Sequence, residues 1–140
     1  RYLKINKKSS TSTFSKINST SKWYKIKSLL IGGSLKTSFI GSEKVETITL
    51  DYFCSKNKIE NIDLLKIDTE GHEEQVLNGA LNLINNKKIK YILIEFHLSK
   101  MYQNYNIKNL ENLLAKSNFQ LLKKFKFPFL SFEDRIYKIN

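Results

Sequence analysis

Cysteine occurs once, at Cys54, so no internal disulfide can form and no cysteine-based zinc site can be built. That usage fits a reducing compartment, and a cytoplasmic location is the expectation. Cys54 follows Phe53 and is expected as a small buried apolar group. Long apolar runs are missing as well: no stretch reaches the roughly 20 residues of a membrane-spanning helix. No signal-peptide pattern of basic start, apolar stretch and small cleavage residues is visible. The chain opens on Arg1 rather than Met, which predicts a processed chain or a piece of a longer reading frame. Glycine is scarce. Gly32, Gly33, Gly41, Gly71 and Gly79 are the only five, and none makes a glycine-rich turn between a strand and a helix. Acidic residues are outnumbered, 13 against 24 Lys and Arg, for a net charge of +11.

What is present suffices for a packed core. The chain has 140 residues, 41% of them hydrophobic and 12% aromatic, which excludes a disordered chain and leaves room for one domain or part of one. The positive charge comes almost wholly from lysines spread along the chain among many Asn and Ile, as an AT-rich coding bias would produce. A nucleic-acid-binding module is the disfavoured alternative. It needs Trp23, Tyr24, Phe125 and Phe127 on one basic aromatic face and the lysines gathered into one stripe.

Along the chain, residues 1–5 alternate polar and apolar like a short strand, and residues 6–22 read as a Ser/Thr/Asn/Lys-rich loop. Residues 23–31 fit a strand or a helical turn equally, and Gly32-Gly33-Ser34 breaks the chain. Residues 45–50 are β-branched and predict a strand, followed by a helix over 51–58 with Thr49 or Asp51 as its cap. The apolar run 62–67 suits a strand covered on both faces. Residues 73–86 carry Val76, Leu77, Ala80, Leu81, Leu83 and Ile84 on one helical stripe. A second buried strand is expected over 91–96, and a helix over 107–116 capped by Asn106. Segments 119–127 and 135–139, joined through 128–134, read as an antiparallel pair. Strands alternating with helices argue for an α/β fold: a mostly parallel sheet with a C-terminal antiparallel strand pair at or near one edge.

Chemistry concentrates where strand 62–67 ends. Asp68, Thr69, Glu70 and His72 fall at a carboxyl edge, where open α/β sheets take ligands. Gly71 suits a tight turn or a close approach. Acidic residues at a helix start also favour its dipole, by ~0.3–1 kcal/mol each, which accounts for Glu73 and Glu74. Lys66 fits that account badly. Alternation puts it on one face with Leu64 and Asp68, inside an apolar strand, where a buried lysine needs a partner. Tyr91, Leu93, Glu95 and His97 share a face of the next strand, so Glu95 is the expected partner of Lys66, with Asp68 and His97 one step further out.

The segment Asp63-Leu64-Leu65-Lys66-Ile67-Asp68-Thr69-Glu70-Gly71-His72-Glu73, followed by Val76-Leu77-Asn78-Gly79-Ala80, resembles the signature of the FkbM-family methyltransferases. Upstream, the run ending Thr49-Leu50-Asp51 is similar to that family's Thr-Leu-Asp segment. Downstream, Ile92-Leu93-Ile94-Glu95-Phe96-His97 resembles its next strand. Residues 9–14 resemble its Ser/Thr-rich stretch. The likeness is strong over residues 45–97 and loose elsewhere.

The resemblance implies a partial Rossmann-like (class I) methyltransferase sheet. It also implies S-adenosylmethionine as cofactor and methyl transfer to a hydroxyl of a sugar, glycan or secondary metabolite. The family's opening strand and Asp-Ile-Gly-Ala-Asn-type turn are absent. Residues 1–140 are therefore expected to be the C-terminal part of one methyltransferase domain, lacking the cofactor loop and inactive alone. The resemblance places the family's Lys, Asp and Glu at Lys66, Asp68 and Glu70, and its later Glu at Glu95. Asp68, then Glu70, then His97 are the candidates for work on the acceptor, with Lys66 and Glu95 in support. His72 is set aside because that position varies in the family. Asp68 and Glu70 are also the carboxylates that could hold a divalent metal. An α/β fragment without activity is the remaining alternative. Nothing in the sequence fixes the oligomeric state.

Overall fold

The computed structural model describes residues 1–6, 12–32, 39–127 and 131–140. It divides into two compact units: Arg1–Thr47, Thr69–His72 and Ser99–Tyr105 form the first, and Ile48–Asp68, Glu73–Leu98 and Asn106–Asn140 the second.

In the first unit, β1 (Tyr2–Asn6) pairs antiparallel with β2 (Phe39–Lys44). Residues 23–31, which the sequence left open, lie within helix α1 (Lys22–Gly32). The break expected at Gly32-Gly33-Ser34 lies beyond the described residues from Gly33 on. Tyr24 from α1 is buried with Met101 and Tyr102, and Ile17 and Tyr105 pack against them. The backbone at Lys4 pairs with that of Thr13, and Ile17 with Tyr102. The nominal loop is thus tied down at Thr13 and at Ile17. The burial of Tyr24 also removes it from the aromatic face that nucleic-acid binding would need.

The second unit holds β3 (Ile62–Ile67), β4 (Ile89–His97), β5 (Phe119–Lys126) and β6 (Phe132–Ile139) in the order β3-β4-β6-β5. β3 and β4 are parallel, whereas β4–β6 and β6–β5 are antiparallel. The expected α/β class and the terminal antiparallel pair at an edge are observed. The sheet is mixed rather than mostly parallel, because β6 inserts between β4 and β5. The core lies on one face of the sheet around β4: Ile67, Ile92, Ile94 and Phe96, with Leu77, Ile84, Leu110 and Leu114 from the helices, are nearly inaccessible. Burying such a side chain contributes about 1.5–3 kcal/mol each.

Two expectations need correction. Residues 45–49 form no strand; the strand lies earlier, in β2, and residues 46–49 are exposed. β-branched residues stabilise a strand by packing on a neighbour, and these have no covered face. Thr49 is instead the cap of α2 (Leu50–Lys56), its hydroxyl accepting from the Tyr52 N–H at 3.1 Å. The single helix expected over 73–86 is two, α3 (Glu73–Asn78) and α4 (Leu81–Asn85), broken at Gly79-Ala80. Asp51 explains the break. Its N–H donates to the Gly79 carbonyl at 2.9 Å, and its carboxylate accepts from Asn82 N–H (2.9 Å) and Leu83 N–H (3.1 Å). The Asp of the Thr-Leu-Asp run therefore caps α4, a contact 31 residues away that helical periodicity does not report.

Helix α5 (Ile107–Lys116) matches its expected bounds, with the Asn106 side chain accepting from Lys108 N–H at 2.9 Å. Cys54 is buried, as expected. Among the described residues no helix is long and apolar enough to cross a membrane.

Candidate active site

Asp68, Lys66 and Glu95 come together on the open face of the β3–β4 pair, at its carboxyl edge. The parallel register sets Lys66 opposite Leu93, so Glu95 lies two residues further along β4. Glu95 in turn stands directly opposite Asp134 of β6. Alternation exposes Leu64, Lys66 and Asp68 while Ile67 points into the core, so the shared face was foreseen.

The burial of Lys66 was not borne out. β3 is an end strand of this sheet, and the Lys66 side chain is 61% exposed. Its partner is Asp68, with Nζ to Oδ2 at 3.1 Å, rather than Glu95. The hydrogen bond and charge of Asp68 hold the ammonium above its usual pKa range, with smaller help from Asp134 and Glu95.

Asp134 was missed. The charged triplet Glu133-Asp134-Arg135 hid the start of β6, which begins at Phe132 and not at Arg135. Burial pushes its carboxyl up, Lys66 pulls it down, and Asp68 pushes it up again. The ionised form is thus disfavoured by folding. Its contribution to stability is fully present below the unfolded-state pKa of about 3.9 and is lost as pH rises through the higher folded value. Asp134→Asn should therefore raise the urea midpoint at neutral pH and leave it unchanged near pH ~3. A lower midpoint at neutral pH would contradict this placement.

His97 lies behind that edge, buried between two carboxylates. Its Nε2 is 3.6 Å from Oε1 of Glu73, and its Nδ1 is 3.4 Å from Oε1 of Glu95. Glu73 is wholly buried rather than a surface decoration of α3. Its place in the Lys-Ile-Asp-x-Glu-Gly-x-Glu pattern was the available signal for this. His97 therefore stands between the start of α3 and the end of β4, beside Glu95.

Glu70 belongs to the first unit. It sits in the Thr69–His72 turn with φ +52°, in the left-handed region that non-glycine residues rarely occupy. Its carboxylate accepts from Lys27 Nζ at 2.9 and 2.8 Å and from the Tyr102 hydroxyl. Thr13 donates to the Glu70 carbonyl and Ser15 to the Gly71 carbonyl, each at 2.6 Å. These hydroxyls come from the edge of the Ser/Thr-rich stretch, of which residues 9–11 lie outside the described residues. His72 accepts from the Arg1 guanidinium and packs on the Phe14 ring.

Gly71 has φ +91°, and a Cβ there would lie 2.5 Å from Cγ of Tyr102. Gly71→Ala should therefore cost about 1–3 kcal/mol in urea unfolding, from backbone strain and displacement of that ring. An unchanged midpoint would show that the turn is not held this way.

The two carboxylates considered for a metal thus lie in different units, each with its own cation. Among the described residues no group of three or more His, Cys, Asp or Glu side chains is arranged to hold a metal ion.

The chain matches the Methyltransferase FkbM domain over residues 2–121 and belongs to that family. It is 31% identical over 65 residues to the hexuronic acid methyltransferase AglP of Haloferax volcanii. Over an equal length it is 34% identical to the 2-O-methyltransferase NoeI of Sinorhizobium fredii. Each alignment covers 46% of this chain and 26% of the relative, so the chain spans about a quarter of these curated relatives. No solved structure is a significant match.

Proposed function

We propose that the intact protein transfers a methyl group from S-adenosylmethionine to a hydroxyl oxygen of a sugar, glycan or secondary metabolite, with Asp68 acting on the acceptor. The observation that carries this reading is the row of Asp68, Glu95 and Asp134 with Lys66 at the carboxyl edge of a parallel strand pair. That edge is where open α/β sheets take ligands, and the β3–β4 pair beside an antiparallel β6 supports a Rossmann-like arrangement. The names of the two relatives, one for a hexuronic acid and one for a 2-O position, support a sugar hydroxyl as acceptor.

The cofactor supplies an electrophilic methyl on a positively charged sulfur. Three carboxylates beside one ammonium suit that charge. The chain holds no glycine-rich turn for the nucleotide, so no residue is assigned to that half. With the bound cofactor supplying the methyl and leaving as its neutral thioether, the Asp68 carboxylate would take the proton of the acceptor hydroxyl. The proton then passes to solvent, which reaches the exposed Asp68 side chain. Lys66 orients the Asp68 carboxylate, and His97 stands beside Glu95.

The test is incubation of the intact protein with S-adenosylmethionine labelled in its methyl group and a panel of hexuronic acids and other sugars. Label should appear on a sugar oxygen in an ether linkage. Cofactor binding without transfer to any hydroxyl compound would contradict the proposal.

A further inference from the structure

We infer that Lys27 and Tyr102 are positioning residues for this methyl transfer, and that Glu70 is the anchor of the turn after β3 rather than the proton acceptor. The inference rests on the function proposed above and assigns two residues that the signature segment does not contain.

The argument starts from strain. A non-glycine residue in the left-handed region costs of order 1–3 kcal/mol and persists only where its surroundings over-determine it. Glu70 is such a residue, is nearly buried, and is followed by Gly71 at φ +91°. Three separate segments hold this turn. Thr13 and Ser15 take its two carbonyls, Lys27 of α1 reaches both carboxylate oxygens, and Tyr102 gives its hydroxyl to Oε2. The Tyr102 ring also lies against Gly71, where only a residue without Cβ fits.

Proton abstraction needs a carboxylate lone pair turned toward the substrate. The Glu70 carboxylate already receives three donor contacts, two from Lys27 and one from Tyr102, in a nearly buried site. Asp68 receives Lys66 on Oδ2 and is 41% exposed. The two acids of the signature therefore divide their work: Asp68 stays open to an acceptor, and Glu70 holds its own turn. Reacting groups misplaced by about 1 Å lose on the order of 100-fold in rate, so a loosened turn is expected to appear in kcat.

The experiment uses the intact protein and four variants, Lys27→Met, Lys27→Arg, Tyr102→Phe and Glu70→Gln. Methyl-transfer kinetics are read together with hydrogen exchange of the amides of residues 69–72, and the amides of β4 report that the fold is kept. Lys27→Met and Tyr102→Phe should lower kcat about 10- to 100-fold, change either KM by less than about 3-fold, and speed exchange in the turn alone. Lys27→Arg should restore both readouts, because it keeps the charge and the donors. Glu70→Gln should fall no further than Tyr102→Phe. A Glu70→Gln loss as deep as that of Asp68→Asn, with turn exchange unchanged, would make Glu70 a reacting group and overturn the inference. Wild-type kcat and exchange in both Lys27→Met and Tyr102→Phe would overturn it equally. If the wild-type protein transfers no methyl group, the function reading and the kinetic half fail. The exchange arm still decides whether these residues hold the turn.

Discussion

Asp68→Asn is expected to lower kcat for methyl transfer by about 100- to 10,000-fold, the range that a positioned general base contributes. The change keeps the side chain's size and one oxygen but removes the charge that would take the hydroxyl proton. Stability should hardly move. The Lys66–Asp68 pair is exposed, so solvent screens it. Denaturant unfolding of the variant should therefore overlay the wild type while turnover collapses. Lys66→Met, which removes the ammonium beside these carboxylates but keeps the Asp68 carboxylate, should cost far less. Equal loss in the two variants would assign the chemistry to the pair rather than to Asp68.

Arg135→Leu should have the opposite profile, with a fall in stability of about 3–5 kcal/mol. Arg135 is buried on β6, and its Nε donates to Glu133 Oε1 at 2.6 Å and its Nη1 to Glu111 Oε1 at 2.5 Å. Its guanidinium also lies 3.9 Å from the centroid of the Phe96 ring. Burial works against its charge, but hydrogen bonds with Tyr137, Glu111 and Glu133 outweigh that and hold its pKa above the usual arginine range. Burial likewise pushes the Tyr137 hydroxyl up, partly offset by Arg135.

Removing the guanidinium strands the Glu133 carboxylate in the core, and the penalty for an uncompensated buried charge exceeds what the pair itself contributes. Two comparisons follow. Glu111 is 44% exposed, so Glu111→Ala should cost no more than about 1 kcal/mol. The double variant Arg135→Leu with Glu133→Leu should recover most of the loss, because an apolar pair replaces a buried ionic one. If the double variant is no more stable than Arg135→Leu, packing on Phe96 is the main loss.

The sequence was most legible where chemistry is local. Apolar runs predict β3 and β4 because their inward residues pack in the core, and Asn106 and Thr49 cap the helices they precede. Alternation put Lys66 and Asp68 on one face. It could not say whether that face was covered, since cover depends on which strands lie beside β3. Lys66 is exposed for that reason. The break at Gly79 depends on Asp51, from another helix. The Glu70 turn depends on Lys27 and Tyr102, at separations of 43 and 32 residues. No local period encodes contacts at such range. Asp134 was hidden differently: three consecutive charges do not look like a strand, though Glu133 and Arg135 point into the core and form their own ion pair.

The central claim is that the carboxyl edge of β3 and β4 serves a methyl transfer to oxygen through Asp68. Single-turnover transfer from methyl-labelled S-adenosylmethionine to a hexuronic acid, followed side by side in the wild-type protein and Asp68→Asn, tests it most directly. The account predicts an ether-linked methyl on the sugar at a rate cut at least about 100-fold in the variant, with cofactor affinity retained. Equal single-turnover rates in the two proteins would contradict it.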